Sequence, residues 1–125
     1  PMNFLHFEGE VLENSTTVEL SGQTIAIPPQ RESAQGKLAF GVRPEHVKLS
    51  DESEFRGKIL STEYLGTSQI LTIQTQSGDL KVRISSAQLV NVGENVGLTF
   101  NEKTITLFDE SSGIAIRSDL NIGSI

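Results

Sequence analysis

The amino-acid sequence predicts an all-β fold, a barrel or sandwich of about ten short strands, and three observations lead there. The dominant hydrophobic period is two, not 3.6. Turn signals built on Gly, Pro, Asn, Asp and Ser recur every roughly eight to twelve residues. No segment combines the length and the 3.6 period of an amphipathic helix.

Near the start, Leu5, Phe7, Gly9 and Val11 alternate with His6, Glu8 and Glu10, the repeat of a strand with one buried face. Val18 and Leu20 alternate with Thr17 and Glu19, Ser21-Gly22-Gln23 supplies a turn, and 24–27 runs back, which predicts a hairpin. Pro28-Pro29 ends it, because neither proline can donate to a ladder. Residues 30–36 read as a polar loop, 37–43 as a strand, and Val47 and Leu49 as its extended continuation. The acidic stretch 50–54 is the most visible seam and divides the chain into two β halves.

The second half is more regular. Residues 55–65 predict a long strand bent near Gly57, 65–68 a turn, 69–75 the returning strand and 76–79 a further turn. Leu80, Val82 and Ile84 then point one way while Lys81 and Arg83 point the other. One short helical turn is expected within 85–91. After a turn at 92–95, Val96, Leu98 and Phe100 alternate inward. Ile105 and Leu107 mark another short strand, 109–113 a turn, and 114–116 a last strand. From Arg117 the sequence becomes polar, so 117–125 is expected to form a loose tail.

Composition narrows the function. There is no cysteine, which removes disulfides and thiolate metal sites. No apolar run approaches the roughly 18 residues needed to span a bilayer. No basic region followed by an apolar one opens the chain, and no secretory signal is read there. Because Pro1 precedes Met2, the chain reads as a fragment of something longer. A net charge of −6 weighs against a phosphate backbone as the main partner. Arg56, Lys58, Lys81 and Arg83 could form a basic strip, the footprint of a single-strand binder. However, Phe7, Phe40 and Phe100 sit on inward positions, which leaves Tyr64 and Phe108 as exposed platforms. No nucleic-acid partner is expected.

No catalytic constellation emerges. His6 and His46 are the only histidines and lie in no metal-binding spacing, so they read as half-exposed surface residues. There is no G-x-S-x-G elbow. A phosphate loop needs Gly five positions before its Gly-Lys and Ser or Thr after it; around Gly36-Lys37 those positions hold Arg31 and Leu38. The carboxylates fall in loops or outward positions, and no spacing singles out an acid–base pair. No cofactor, metal or catalytic residue is assigned.

What stands out is Gly41-Val42-Arg43-Pro44-Glu45-His46-Val47. Pro44 fixes its own φ and pushes Arg43 toward extended geometry. Arg43 and Glu45 flank it, placed to pair with each other or with backbone as a clasp at a strand end. A second feature is the turn Gly66-Thr67-Ser68, whose backbone N–H groups, with Arg43 or Lys58, could cradle a small anion.

Several stretches in order resemble one family. Pro1-Met2-Asn3-Phe4-Leu5 is similar to a P-x-M-N-F-L junction without its spacer residue. Residues 41–47 resemble G-[IV]-R-P-E-[HD]-[LV], and Glu63-Tyr64-Leu65-Gly66 fits E-x-L-G. Leu107-Phe108-Asp109 with Gly113 and Ile116 resembles a closing L-F-D-x-x-[TS]-G-x-x-I. These belong to the C-terminal regulatory region of ATP-binding subunits from carbohydrate-type ABC importers, the maltose and glycerol-3-phosphate transporter family. The match covers residues 1–116.

The resemblance implies an OB-like β-barrel of the TOBE type over 1–116. It implies a regulatory and dimerisation role in a cytoplasmic subunit, peripheral at the inner face of the membrane. Its expected partners are its own N-terminal ATPase domain, a second copy, the membrane permease subunits and a regulatory protein. ATP and Mg would belong to the preceding ATPase domain. Gly41, Val42, Arg43, Pro44 and Glu45 are the implied domain-interface element. Leu20-Ser21-Gly22-Gln23 imitates the transporter signature L-S-G-G-Q, but it runs into a strand and Pro28-Pro29 instead of opening a helix, and reads as a hairpin turn. Two other readings remain open beside this one: a barrel that senses a small oxyanion, and an OB-fold single-strand binder.

Overall fold

Period-two alternation becomes ten antiparallel strands in the computed structural model, which describes residues 1–121. β1 (Asn3–Val11), β4 (Ala34–Val42) and β10 (Thr106–Asp109) form a three-stranded sheet in the order β1-β4-β10. β2 (Thr17–Leu20) and β3 (Gln23–Ala26) form a hairpin. β5 (Val47–Leu49), β6 (Arg56–Leu65), β7 (Ser68–Thr75), β8 (Gly78–Ser85) and β9 (Asn95–Phe100) form a sheet in the order β5-β9-β6-β7-β8. Its outer strands, β5 and β8, approach each other, so the sheet curls into an OB-like barrel.

Alternation places the core correctly. Leu5, Leu38 and Phe40 from the first sheet and Ile59, Leu71 and Leu98 from the second are at most 1% exposed and share one hydrophobic cluster. Buried residues from both sides of the 50–54 loop contribute to it. The β2–β3 turn is Ser21-Gly22 alone, both at positive φ (52° and 80°). That is the two-residue turn whose twist suits a hairpin, and Gln23 already belongs to the strand.

Several boundaries differ from the sequence reading. β4 begins at Ala34, because its ladder with β1 runs unbroken from Asn3↔Val42 to Val11↔Ala34. Gln35, Gly36 and Lys37 are all exposed there, so no apolar alternation announces that part of the strand. The irregularity in β6 falls at Leu60, between Ile59 and Ser61, not at Gly57. Gly57 serves close packing instead: a Cβ there would lie 2.5 Å from Ile73 Cγ2 and 2.7 Å from Gln74 O. Residues 85–91 hold turns and no helix; short 3-10 turns occur at Pro44–His46 and Glu102–Thr104. The expected strand at 114–116 reduces to one bridge, Phe108↔Ala115.

The expected loose tail is docked over 117–121, and its remaining residues, 122–125, lie outside the described ones. Ser118 bridges Gln30, Arg31 N–H donates to Arg117 O at 2.8 Å, and Asp119 N–H donates to Pro29 O at 2.9 Å. Arg31 pairs with Asp119, and Arg117 with Glu32. A polar composition concealed these contacts because backbone groups carry most of them.

Close approach at Gly97 gives a stability prediction. A Cβ there would stand 2.1 Å from Ser50 O and 2.9 Å from Ser53 O, both backbone atoms. Gly97→Ala should destabilise the chain by about 3 kcal/mol in urea unfolding. Gly9→Ala meets nothing within 4 Å and should stay within about 0.5 kcal/mol.

Candidate functional site

The Arg-Pro-Glu element forms the turn between the two sheets. Arg43 is extended (φ −79°, ψ 151°), as the following proline requires. Pro44–His46 then makes one 3-10 turn, closed by His46 N–H to Arg43 O at 3.0 Å and Val47 N–H to Pro44 O. Asn101 N–H donates to His46 O at 3.0 Å, which ties the turn to the end of β9. Gly41 sits beneath a cover: a Cβ would lie 2.7 Å from both Met2 Sδ and Phe108 Cε2. Val42 is fully buried.

Arg43 and Glu45 are both exposed, and they form no ion pair with each other among the described residues. Glu45 folds back on its own backbone N–H, which is the main cause holding its carboxyl below the usual range; His46, Arg43 and Arg83 add attraction, while desolvation opposes them. Of the two pairings expected of the clasp, Glu45 takes the one with backbone and not the one with Arg43, and a loose cluster of charge surrounds the turn. His46 Nδ1 is buried beside this turn without a hydrogen-bond partner.

Of the residues proposed to cradle an anion, Lys58 stands apart from the turn. Lys58 pairs with Gln74 and Asn95, at the opposite end of the β6–β7 ladder from Gly66, Thr67 and Ser68. Eight residues of strand separate them, roughly 25 Å. The basic strip is divided as well. Arg56 Nε donates to Asn95 Oδ1 at 2.6 Å, and its Nη1 bonds Asp51 O and Ser53 O, so it fastens the 50–54 loop. Lys81 Nζ bonds Thr72 Oγ1 at 2.6 Å. Tyr64 is exposed as expected, whereas Phe108 is partly covered by Phe4 in an edge-to-face contact with centroids 5.4 Å apart. Arg56 and Lys58 do line an open cavity of about 690 Å³, together with Gln23, Gln74, Gln76 and Asn95. Among the described residues, no group of three or more His, Cys, Asp or Glu could hold a metal ion. None of the described helices is long and apolar enough to cross a membrane.

Two joints carry more than the sequence reading assigned to them. Asn3, 8% exposed, uses its carboxamide as a peptide group would: Nδ2 donates to Lys81 O at 2.8 Å, and Oδ1 accepts from Lys81 N–H at 2.7 Å. This side chain hydrogen-bonds β1 to the edge of β8. The available signal was parity, since Asn3 shares the buried face of β1 with Leu5. The closing motif is a turn organised by Asp109, whose Oδ2 accepts from Ser111 Oγ and Ser112 N–H, both at 3.1 Å. Ile116 returns to the core and donates its N–H to Leu107 O at 2.8 Å.

The curled five-stranded barrel and its attached sheet define an OB-like domain with a hydrogen-bonded turn between the two layers. Residues 40–108 match the family model for the TOBE domain, and the chain belongs to that family. It is 31% identical over 117 residues to the sn-glycerol-3-phosphate import ATP-binding protein UgpC of Escherichia coli O157:H7, covering 90% of this chain and 32% of that protein. It is 30% identical over 118 residues to the molybdate/tungstate import ATP-binding protein WtpC of Pyrococcus abyssi, covering 84% of this chain and 33% of that protein. The chain thus spans about a third of the length of these curated relatives. The cytoplasmic molybdate-binding protein ModG, crystallised with molybdate bound, shares the fold with a TM-score of 0.59 at 12% identity, over 84% of this chain and 94% of that one.

Both joints are open to measurement. Asn3→Ala leaves the Lys81 N–H and C=O without their partner, so it should cost roughly 2–3 kcal/mol and speed amide exchange at Lys81. At Asp109, Ser112, through its hydroxyl and backbone N–H, and then Ser111 hold the carboxyl below the usual carboxylate range. A depressed folded-state value contributes stability above the unfolded value of about 3.9, lost as pH falls through the folded one. Thermal melts of the native chain and Asp109→Ala should therefore differ at pH 6, and the difference should shrink as the pH falls below the unfolded value.

Proposed function

We propose that this chain is the C-terminal, non-catalytic regulatory and dimerisation barrel of an ABC importer's ATP-binding subunit, with a sugar or sugar phosphate as cargo. The observation that carries this reading is the similarity to importer ATP-binding proteins over 84–90% of the chain, confined to about a third of their length. The remainder of such a subunit would hold ATP and Mg and would be the barrel's first partner. A second copy, the permease subunits and a regulatory protein complete the expected assembly, on the cytoplasmic face of the membrane. The UgpC relatives, named for sn-glycerol-3-phosphate import, support the sugar-phosphate cargo.

In this reading Gly41, Val42, Arg43, Pro44 and Glu45 act as joinery. They set the angle between the β1-β4-β10 sheet and the barrel, and they leave the Arg43 and Glu45 side chains free at the surface for a neighbouring domain. A strand-end turn closed by backbone hydrogen bonds is rigid enough for that task without a buried ion pair.

A chimera tests the proposal. The aligned C-terminal third of Escherichia coli UgpC is replaced by this chain, and sn-glycerol-3-phosphate uptake is measured beside ATP hydrolysis. Both activities should persist, and the chimeric subunit should remain dimeric in light scattering. A chimera that folds and reaches the membrane yet lacks both activities would count against the reading. Calorimetry of the chain alone with molybdate, tungstate, sulfate and sn-glycerol-3-phosphate should be silent; clear binding of any of them would favour a ligand sensor instead.

A further inference from the structure

The distal half of β6 has an edge without a neighbour. β9 pairs with β6 only from Arg56 to Lys58. The chain preceding β9 adds two bonds at Ile59, Ile59 N–H to Glu94 O at 2.9 Å and Gly93 N–H to Ile59 O at 2.7 Å. Beyond the bulge at Leu60, residues 61–65 pair with β7 alone. The peptide groups of an antiparallel strand alternate between its two sides. Leu65↔Ser68 closes the two-residue turn Gly66-Thr67, with Gly66 at φ 78°, and so forms a bonded pair. Counting back, Thr62 and Tyr64 direct their N–H and C=O groups away from β7. No hydrogen bond from outside the sheet reaches either residue among the described residues.

The surroundings of this edge suit a guest strand. Leu60 (38% exposed), Tyr64 (62%) and Leu65 (48%) lie along it. Val92 is exposed next to Gly93, where the chain turns off at Ile59. Exposed strand edges are commonly protected by charge, and here the charge is Glu63, between the two free peptide groups. A second copy using both Thr62 and Tyr64 would pair about a twofold axis centred on Glu63, placing two carboxylates directly opposite each other. Like charges in that position destabilise the pair. A strand with a cation opposite Glu63 meets attraction instead. Its neighbouring side chains would fall on the face of Thr62 and Tyr64, against the exposed Tyr64 ring.

We propose that the 61–65 edge of β6 takes an extended segment of a partner protein as an added strand, carrying Lys or Arg opposite Glu63 between two apolar residues. This is strand addition, in which backbone bonds supply affinity and alternate side chains supply selectivity. It does not depend on the importer reading.

Short capped peptides alternating Val with Lys, or Val with Glu, are titrated into the full chain and followed by amide NMR. The Val/Lys peptide should shift the amides of 61–65 and slow hydrogen exchange at Thr62 and Tyr64, while the Val/Glu peptide should not bind. Glu63→Lys should reverse the preference, weakening the Val/Lys peptide by about tenfold and admitting the Val/Glu peptide. Thr62→Pro removes an outward N–H without touching the β7 ladder, as edge proline can, and should abolish binding with the circular dichroism unchanged. Equal binding of both peptides, shifts confined to other strands, or retained preference in Glu63→Lys would overturn the proposal. So would self-association of the free chain through 61–65.

Discussion

One carboxamide carries the hydrogen bonding where ordinary strand pairing stops. β1 and β8 belong to different sheets, and between them the ladder is replaced by Asn3, which gives and takes one bond with the Lys81 peptide. His6 N–H to Ser77 O, at 3.2 Å, is the neighbouring backbone contact. Without that surrogate peptide, β8 would present unpaired groups to a partly buried seam, at a cost comparable to a lost hydrogen bond for each group. The position of β1 in turn fixes β4 through nine paired residues, and β4 fixes β10. Asn3 is thus one point at which the three-stranded sheet is registered against the barrel, beside the turn at residues 43–46.

The motif residues are read most economically in the same terms. Gly41 lets Met2 and Phe108 close over β4. Pro44 starts the 3-10 turn that redirects the chain into β5. Asp109 holds the turn through which Ile116 re-enters the core. Each acts where a ladder ends. Gly41 and Pro44 carry no reactive group, and the Asp109 carboxylate is taken up as the acceptor of its own turn.

What the sequence made legible was the ladders. Alternation located the buried faces of β1, β2, β8 and β9, and the Ser-Gly and Leu-Gly-Thr-Ser signals located the β2–β3 and β6–β7 turns. It failed where both faces of a strand meet water, as at Gln35 to Lys37, because alternation then carries no information. It also failed where contacts join residues far apart in the chain, such as Asn3 with Lys81 or Arg31 with Asp119. The pairing of Lys58 with the Gly66 turn failed for a related reason. Lys58 and Gly66 are near in sequence, but an extended strand places them at opposite ends of a ladder.

The buried polar residues show a common logic. Among the described residues the core encloses the polar side chains of Asn3, Gln30, Gln69 and Ser118; Asn3 serves the open edge of β8, and the other three serve segments outside the ladders. Gln69 Nε2 donates to Ser85 O and Gln88 O and fastens the loop after β8. Gln30 Nε2 holds Pro28 O, on the segment where the 117–121 tail docks. Ser118 Oγ accepts from Leu120 N–H within that tail. Regular strands satisfy their own peptide groups and need only apolar side chains inward. Irregular segments leave peptide groups that water cannot reach, so a buried amide or hydroxyl is placed where each such segment meets the core. The outer half of β6 is a stretch of another kind: at Thr62 and Tyr64 the outward peptide groups meet neither a ladder nor an enclosed polar side chain among the described residues, and are left for another molecule.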